Sequence, residues 1–443
     1  MRIQLSDHFS YGRMLRFVAP SVVMMVFTSI YNVVDGFFVS NYAGKVAFAA
    51  VNLMMPLLFV LMALGFMMGT GGSAIVAQAL GEGRRDHASR CFSLLVYATL
   101  IVGGIITLLV QIGLPKIAAW LGARGPMLDD CILYGRITLA AMPLFMLQSV
   151  FQSFFVTAEK PKLGLFFTVA AGVSNIVLDA LFVMAFRWGL VGAAAATAVS
   201  QAVGGLGPLV YFLRPNDSLL RLGRTSMMTR VLVRSCVNGS SELMSTVSGS
   251  VVTVLYNYQL MRLAGEDGIA AFGVIQYLSF IFAAVFLGYS VGIAPVIGYH
   301  YGARNAPELR SLFTKGVTLV AAAGAAMACA SWLASDLLTR LFVGYDPALR
   351  EMTLWGMRIY AFSFLICGIN IFGSAFFTAL GDGATSAAIS FMRTLVFELL
   401  SVLLVPLLFG LNGLWGSIIV AESLALCITI LFFAARRKKY RYL

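Results

Sequence analysis

The sequence predicts an all-α polytopic membrane protein, with twelve transmembrane helices in two six-helix halves related by a pseudo-twofold axis. Three observations carry that prediction. Of the 443 residues, 60% are hydrophobic and 11% are charged, against roughly 45–50% and about 25% in a soluble domain. So little polar surface cannot cover a water-soluble globule. The apolar residues run unbroken, as in 53–68 continuing into 69–80, whereas a membrane β-barrel alternates apolar and polar residues in runs of about 10. Lastly, the chain repeats itself: shifted by 221 residues, its two halves align without a gap.

Apolar runs bounded by charges, Gly and Pro define the spans in order. The first, 13–40, follows about ten polar residues and carries Pro20; no cleavable leader is expected there. The second, 48–80, is stopped by Gly81-Glu82-Gly83-Arg84-Arg85. The third to sixth cover 90–114, 127–157, 162–186 and 189–213. The longest polar stretch, Arg214–Arg234, then reads as a linker. The seventh and eighth cover 231–261 and 269–301, the latter closed by Gly302-Ala303-Arg304. The last four are 311–335, 347–379, 384–409 and 413–435. Each reaches the ~20 residues that cross ~30 Å of hydrocarbon.

The repeat divides the chain into a first lobe of 1–213, a linker of 214–230 and a second lobe of 231–443 with a basic tail. Ala43-Gly44 meets Ala264-Gly265, Gly71 meets Gly292, and Gly81 meets Gly302. Phe155, Thr157 and Ala158 meet Phe376, Thr378 and Ala379, and Gly189-Leu190 meets Gly410-Leu411. Two six-span halves keep the same direction, so the axis lies along the membrane normal. That is the architecture expected of an alternating-access transporter, with a cavity between its halves.

The formal charge is +12. With the N-terminus inside, 21 Lys and Arg fall in cytoplasmic segments and 9 in outer ones, with Arg393 inside a span. Both termini are therefore expected in the cytoplasm of a plasma-membrane protein, and the charge is topogenic rather than a nucleic-acid footprint. The six cysteines show no CxxC or Cys/His spacing. No metal site, cofactor, phosphate loop or catalytic triad is expected, and the chain does not read as an enzyme.

Acids inside hydrocarbon carry the chemistry, because each is costly and must be paired, protonated or cavity-facing. Five qualify: Asp35, Asp179, Glu242, Glu398 and Glu422. Asn175 and Asp179 are four apart, on one helix face. Asp35, Asn175, Asp179 and Thr197 fall at similar depth, where two carboxylates with an amide and a hydroxyl can share a proton or hold a sodium ion. Pro20, fifteen residues before Asp35, permits a hinge. Glu242 is a candidate for a cationic substrate or second coupling ion, with Gln148, Gln152, Tyr256, Asn257, Gln276 and Tyr277 as further cavity candidates. Glu398 and Arg393, five residues apart, read as a neutralising pair; Glu422 has no assigned role.

These residues together resemble the multidrug and toxic compound extrusion (MATE) family. The resemblance rests on Val33-Val34-Asp35-Gly36, Gly81-Glu82-Gly83, Asn175-Ile176-Val177-Leu178-Asp179, Glu242-Leu243-Met244-Ser245 and Gly298-Tyr299-His300-Tyr301-Gly302. The second half is similar to the bacterial branch that includes a staphylococcal multidrug exporter. The resemblance implies a V-shaped antiporter that exports organic cations or lipophilic drugs as protons or sodium ions enter. It implies cation coupling at Asp35, Asn175, Asp179 and Thr197, bending at Pro20, and a role for Glu242. No acid stands in 352–379, where a sodium-linked branch carries one. The expected partners are small molecules and the bilayer, and a monomer is expected. The rival reading, a lipid-linked precursor flippase, calls for an Arg- and Lys-rich cavity; here only Arg393 lies inside a span.

Overall fold

The computed structural model describes residues 3–442. Arg2, counted above among the basic residues, lies outside them, as do the side chains of Asn32, Val33 and Lys45. Every regular element among the described residues is a helix. This follows from the solvent: in hydrocarbon the backbone must satisfy its own hydrogen bonds.

Among the described residues, ten continuous runs are long and apolar enough to cross a membrane. They are α1 (Tyr11–Ala43), α2 (Val46–Gly81), α3 (Arg85–Trp120), α4 (Pro126–Thr157), α5 (Pro161–Ala185), α6 (Gly189–Leu213), α7 (Thr229–Gly302), α8 (Ala306–Val343), α9 (Pro347–Ala379) and α10 (Gly383–Tyr440). The expected number was twelve. The difference lies in α7 and α10, which hold 74 and 58 residues. A straight helix of 74 residues would run about 111 Å at 1.5 Å per residue. Each is instead broken at one glycine: Gly265 (φ 62°, ψ −149°) and Gly410 (φ 56°, ψ −136°). Side-chain-bearing residues avoid that backbone conformation. The breaks fall where the sequence places the turns between the seventh and eighth and the eleventh and twelfth spans, and they divide each helix into two arms. The repeat is visible in the same glycines. Gly44 and its match Gly265 both have positive φ, as do Gly189 and Gly410.

Packing sorts the molecule into two ends. One core is drawn wholly from the first half, around Val51, Met54, Leu139 and Ala193. Another comes wholly from the second half, around Tyr256, Phe272, Val402 and Trp415. The largest core mixes both halves and includes Phe17, Leu80, Phe151, Val296, Phe376 and Tyr442. It lies at the end that carries both termini. The halves therefore pack together at that end and keep separate cores at the other.

Glycine makes the shared end close. A Cβ on Gly81 would stand 2.0 Å from Tyr299 O, and one on Gly302 would stand 2.2 Å from Gln78 O. Tyr299 and Gln78 are themselves partners across the repeat, so one contact is made twice around the pseudo-axis. Asn238 adds polar ties, donating to Gly71 O of the first half and Thr378 O of the second. The N-terminal segment straps the same end. Leu5 N–H donates to Glu159 Oε1 at 2.7 Å, and Phe9 N–H donates to Glu308 Oε1 at 2.9 Å. Residues 214–228 carry no helix and dock on α3, where Ser93 Oγ accepts from Gly223 N–H and Thr225 Oγ1 donates to Arg90 O.

Candidate functional site

The first half brings Asp35, Asn175, Asp179 and Thr197 into one region from α1, α5 and α6. Asp35 and Asp179 lie against each other with Asn175 beside them. Close packing of α5 on α1 makes this possible. A Cβ on Gly172 would meet Phe27 Cε1 at 2.4 Å and Tyr31 Cδ1 at 2.9 Å, one turn before Asn175. A larger residue there would push α5 off α1 and separate the carboxylates.

The cluster is buried. Asp35 is 8% exposed, Asn175 2% and Asp179 0%. Asp35 Oδ1, both carboxylate oxygens of Asp179, Asn175 Nδ2 and Thr197 Oγ1 are buried without a hydrogen-bond partner among the described residues. The two acids are near enough to feel each other's charge. No Lys or Arg is paired with either among the described residues. Two buried anions without a countercharge are prohibitively costly. The site therefore has the chemistry to take up a proton or a small monovalent cation. Among the described residues no group of three or more His, Cys, Asp or Glu could hold a metal ion. The donor set here suits a hard cation with oxygen ligands: two carboxylates, an amide and a hydroxyl.

Two neighbours carry no sequence signal of their own. Tyr134 of α4 is 2% exposed and lies close to Asp35, Asp179 and Thr197. Gln201 stands one turn beyond Thr197 on the same face of α6, with a buried, unpartnered Oε1. A tyrosine and a glutamine are unremarkable in a helix, so only the fold marks them. A second unforeseen feature is the wider helical turn after each acid. Val39–Ala43 follows Asp35, and Ala180–Ala185 directly follows Asp179; both are π-helical. Such turns recur at functional positions in helices. Pro20 lies inside a continuous α1 segment, Tyr11–Phe38, with no break recorded there.

Glu242 lies in the first arm of α7, one turn beyond Asn238 and Gly239. Gly239 is pressed on Met67 O of α2. Glu242 therefore stands just past the seam where the halves touch. It is half-buried, and its carboxylate has no hydrogen-bond or ion-pair partner among the described residues. The other cavity candidates do not gather around it. Tyr256 is fourteen residues away, about 21 Å along a helix; it is buried, stacks on Phe272 at 4.7 Å and shares a 2.6 Å hydrogen bond with Ser417. Gln148 packs against Gly204, and Gln152 donates to Thr168 Oγ1 at 3.4 Å, both inside the first half. Asn257 is exposed, Gln276 is half-buried, and exposed Tyr277 stacks on Phe342 at 6.3 Å.

The expected Arg393–Glu398 pair is not made. Arg393 Nε donates to Glu422 Oε1 and Oε2 at 2.8 and 3.0 Å, and Asn370 Nδ2 donates to Glu422 Oε2 at 2.7 Å. Thr429 Oγ1 in turn donates to Asn370 Oδ1. Residues five apart do not share a helix face, whereas the second arm of α10 brings Glu422 directly to the guanidinium. Arg393 itself sits in a π-helical turn, Met392–Phe397.

A polytopic helical fold of two halves, one of them holding a pair of buried acids, is that of a membrane transporter. The profile of the MatE family matches residues 20–181 and again 243–403, and the chain belongs to that family, which comprises transporters and not enzymes. Over 425 residues it is 26% identical to the multidrug export protein MepA of Staphylococcus saprophyticus, covering 95% of this chain and 92% of that protein. MepA of Staphylococcus aureus (strain N315) is 24% identical over 435 residues, 96% and 94% of the two chains. Among solved structures, a MATE transporter in complex with MaL6 superposes with a TM-score of 0.93 at 22% identity, over 98% of both chains. An outward-facing MATE family transporter of the MOP superfamily gives 0.92 at 22%, with 98% of each chain covered.

Proposed function

We propose that the protein is a secondary active multidrug efflux antiporter. It exports organic cations and lipophilic drugs across the plasma membrane by alternating access, in exchange for protons or sodium ions. The observation that carries this reading is the buried Asp35–Asp179 cluster, two adjacent carboxyls with no Lys or Arg partner among the described residues. Entry of a proton or sodium ion relieves that cost, so the cluster's charge state can bias the conformation of the half that holds it. Glu242 is the acid that a cationic substrate meets at the floor of the space between the halves. Residues 1–213 and 231–443 form the two moving lobes, joined by 214–230. The end with both termini faces the cytoplasm, as the distribution of Lys and Arg requires. The flippase reading loses support because Arg393 is already neutralised by Glu422.

The test is ethidium efflux by the full-length protein in inside-out vesicles, with a pH gradient and a sodium gradient imposed separately. Transport under at least one gradient is expected, and the gradient that works identifies the ion. Folded protein that moves no cationic dye under either gradient would overturn the reading.

A further inference from the structure

Two adjoining cavities open at the end that carries the termini, on the seam between the halves. The larger, about 500 Å³, is walled by α7 from Thr229 to Asn238 and by Gly381 and Gly383. The smaller, about 230 Å³, faces α7 with Gln78, Glu82, Arg84 and His87 of the first half. Arg230 and Arg234 line both. They are four residues apart, so their guanidinium groups share one helix face.

Neither arginine has an acidic partner among the described residues, and the nearby acids are already taken. Glu82 pairs with Arg84. Asp382 accepts from Tyr440 O–H at 2.8 Å and has Arg436 and Lys439 at 3.6 and 4.0 Å. The crevice therefore holds two uncompensated guanidinium groups. Gly381 leaves room for one of them: a Cβ there would stand 3.2 Å from Arg234 Nη2 and 3.1 Å from Gln78 Nε2. The donors from the two halves thus converge on one spot. The same face of α7 also presents apolar side chains: Val233, between the two arginines, is 57% exposed, and Val237, three residues beyond Arg234, 52%.

Paired guanidiniums beside an exposed apolar stripe match an amphiphile with an anionic head. Guanidinium groups bind phosphate oxygens through paired N–H donors. We propose that this crevice binds the phosphodiester headgroup of an anionic phospholipid, with an acyl chain along Val233 and Val237. The bound lipid ties the halves together at their closed end.

The test uses purified full-length protein, with bound lipid counted by native mass spectrometry and stability read from thermal unfolding. Phosphatidylglycerol, phosphatidylcholine and inorganic phosphate are added in separate arms. In the wild type, phosphatidylglycerol is expected to be retained and to raise the melting temperature by a few degrees, as a ligand selective for the folded state does. Arg230→Gln/Arg234→Gln should lose that gain, while Arg310→Gln, which removes an exposed charge elsewhere at the same end, should keep it. Should the double glutamine variant fail to fold, Arg230→Lys/Arg234→Lys serves instead; it keeps the charge, loses the paired donors, and should bind several-fold more weakly. An equal gain in the glutamine variant, undiminished binding by the lysine variant, or an equal effect of phosphatidylcholine overturns the proposal. So does inorganic phosphate alone reproducing the full shift, which would make the site one for free phosphate.

Discussion

Adding one methyl group at Gly81 should open the seam between the halves. A Cβ at position 81 would stand 2.0 Å from Tyr299 O, while ordinary contact begins near 3.4 Å. The two backbones must therefore part by about 1.4 Å, the difference between those distances. The obstacle is a backbone carbonyl, which no rotamer change can move aside. Overpacking of this kind costs about 1–3 kcal/mol. At ~1.4 kcal/mol per tenfold, the closed arrangement should lose roughly 5- to 150-fold in weight against one in which this end has parted. The same reasoning applies to Gly302→Ala, because Gln78 O stands 2.2 Å from its Cβ position. The assay is a spin-label distance between Arg85→Cys and Arg310→Cys, one on each half, with exposed Cys329 and Cys427 replaced by serine. The Gly81→Ala variant should move population to a longer distance and lower the melting temperature. An unchanged distance distribution together with unchanged melting would refute the claim that this glycine pair sets how closely the halves meet.

Two further predictions follow from buried charges. Glu422→Gln leaves the Arg393 guanidinium buried beside an amide, and breaking such a pair typically costs about 3–5 kcal/mol; thermal unfolding should show a clear loss, and Arg393→Met/Glu422→Met should recover much of it. At Asp382, burial works against the charge, but hydrogen bonds from Tyr440 and Thr385 and the Arg436 cation outweigh it and hold the carboxyl below the usual carboxylate range. A depressed folded-state pKa contributes stability above the unfolded value, near 4 for Asp, and that contribution fades as pH falls through the lower folded value. The wild type should therefore lose melting temperature below about pH 4 more steeply than Asp382→Asn; parallel profiles would show that Asp382 does not anchor the C-terminal tail.

Much of this architecture is legible in the sequence because lipid imposes a simple rule: an uninterrupted apolar run must be helical. The rule finds runs of residues but is blind to how they join. Gly265 and Gly410 turn the chain within a single residue, so two pairs of expected spans emerge as two long broken helices. Asp35, Asn175, Asp179 and Thr197 could be picked out because an acid in hydrocarbon is rare enough to demand a reason. Tyr134 could not, since a tyrosine is not unusual in a helix and only packing brings it to the acids. Arg393 shows the opposite failure. Its nearest acid in sequence, Glu398, looked like its partner, whereas tertiary structure supplies Glu422, 29 residues away. Local spacing decides pairs only when both residues share a helix face. Residue type is the only signal that Tyr256, Asn257, Gln276 and Tyr277 carry, and the fold scatters them: Tyr256 is buried, Gln276 half-buried, and Asn257 and Tyr277 exposed.

The central claim is that the unpaired carboxylates of the first half couple an ion gradient to efflux. It is tested most directly in proteoliposomes containing purified Asp35→Asn protein beside wild type, by gradient-driven dye transport, with dye binding measured on the same samples. Asp35→Asn should bind dye about as well as wild type and lose gradient-driven transport at least tenfold. Transport at the wild-type rate, responding to the gradient as wild type does, would contradict the account.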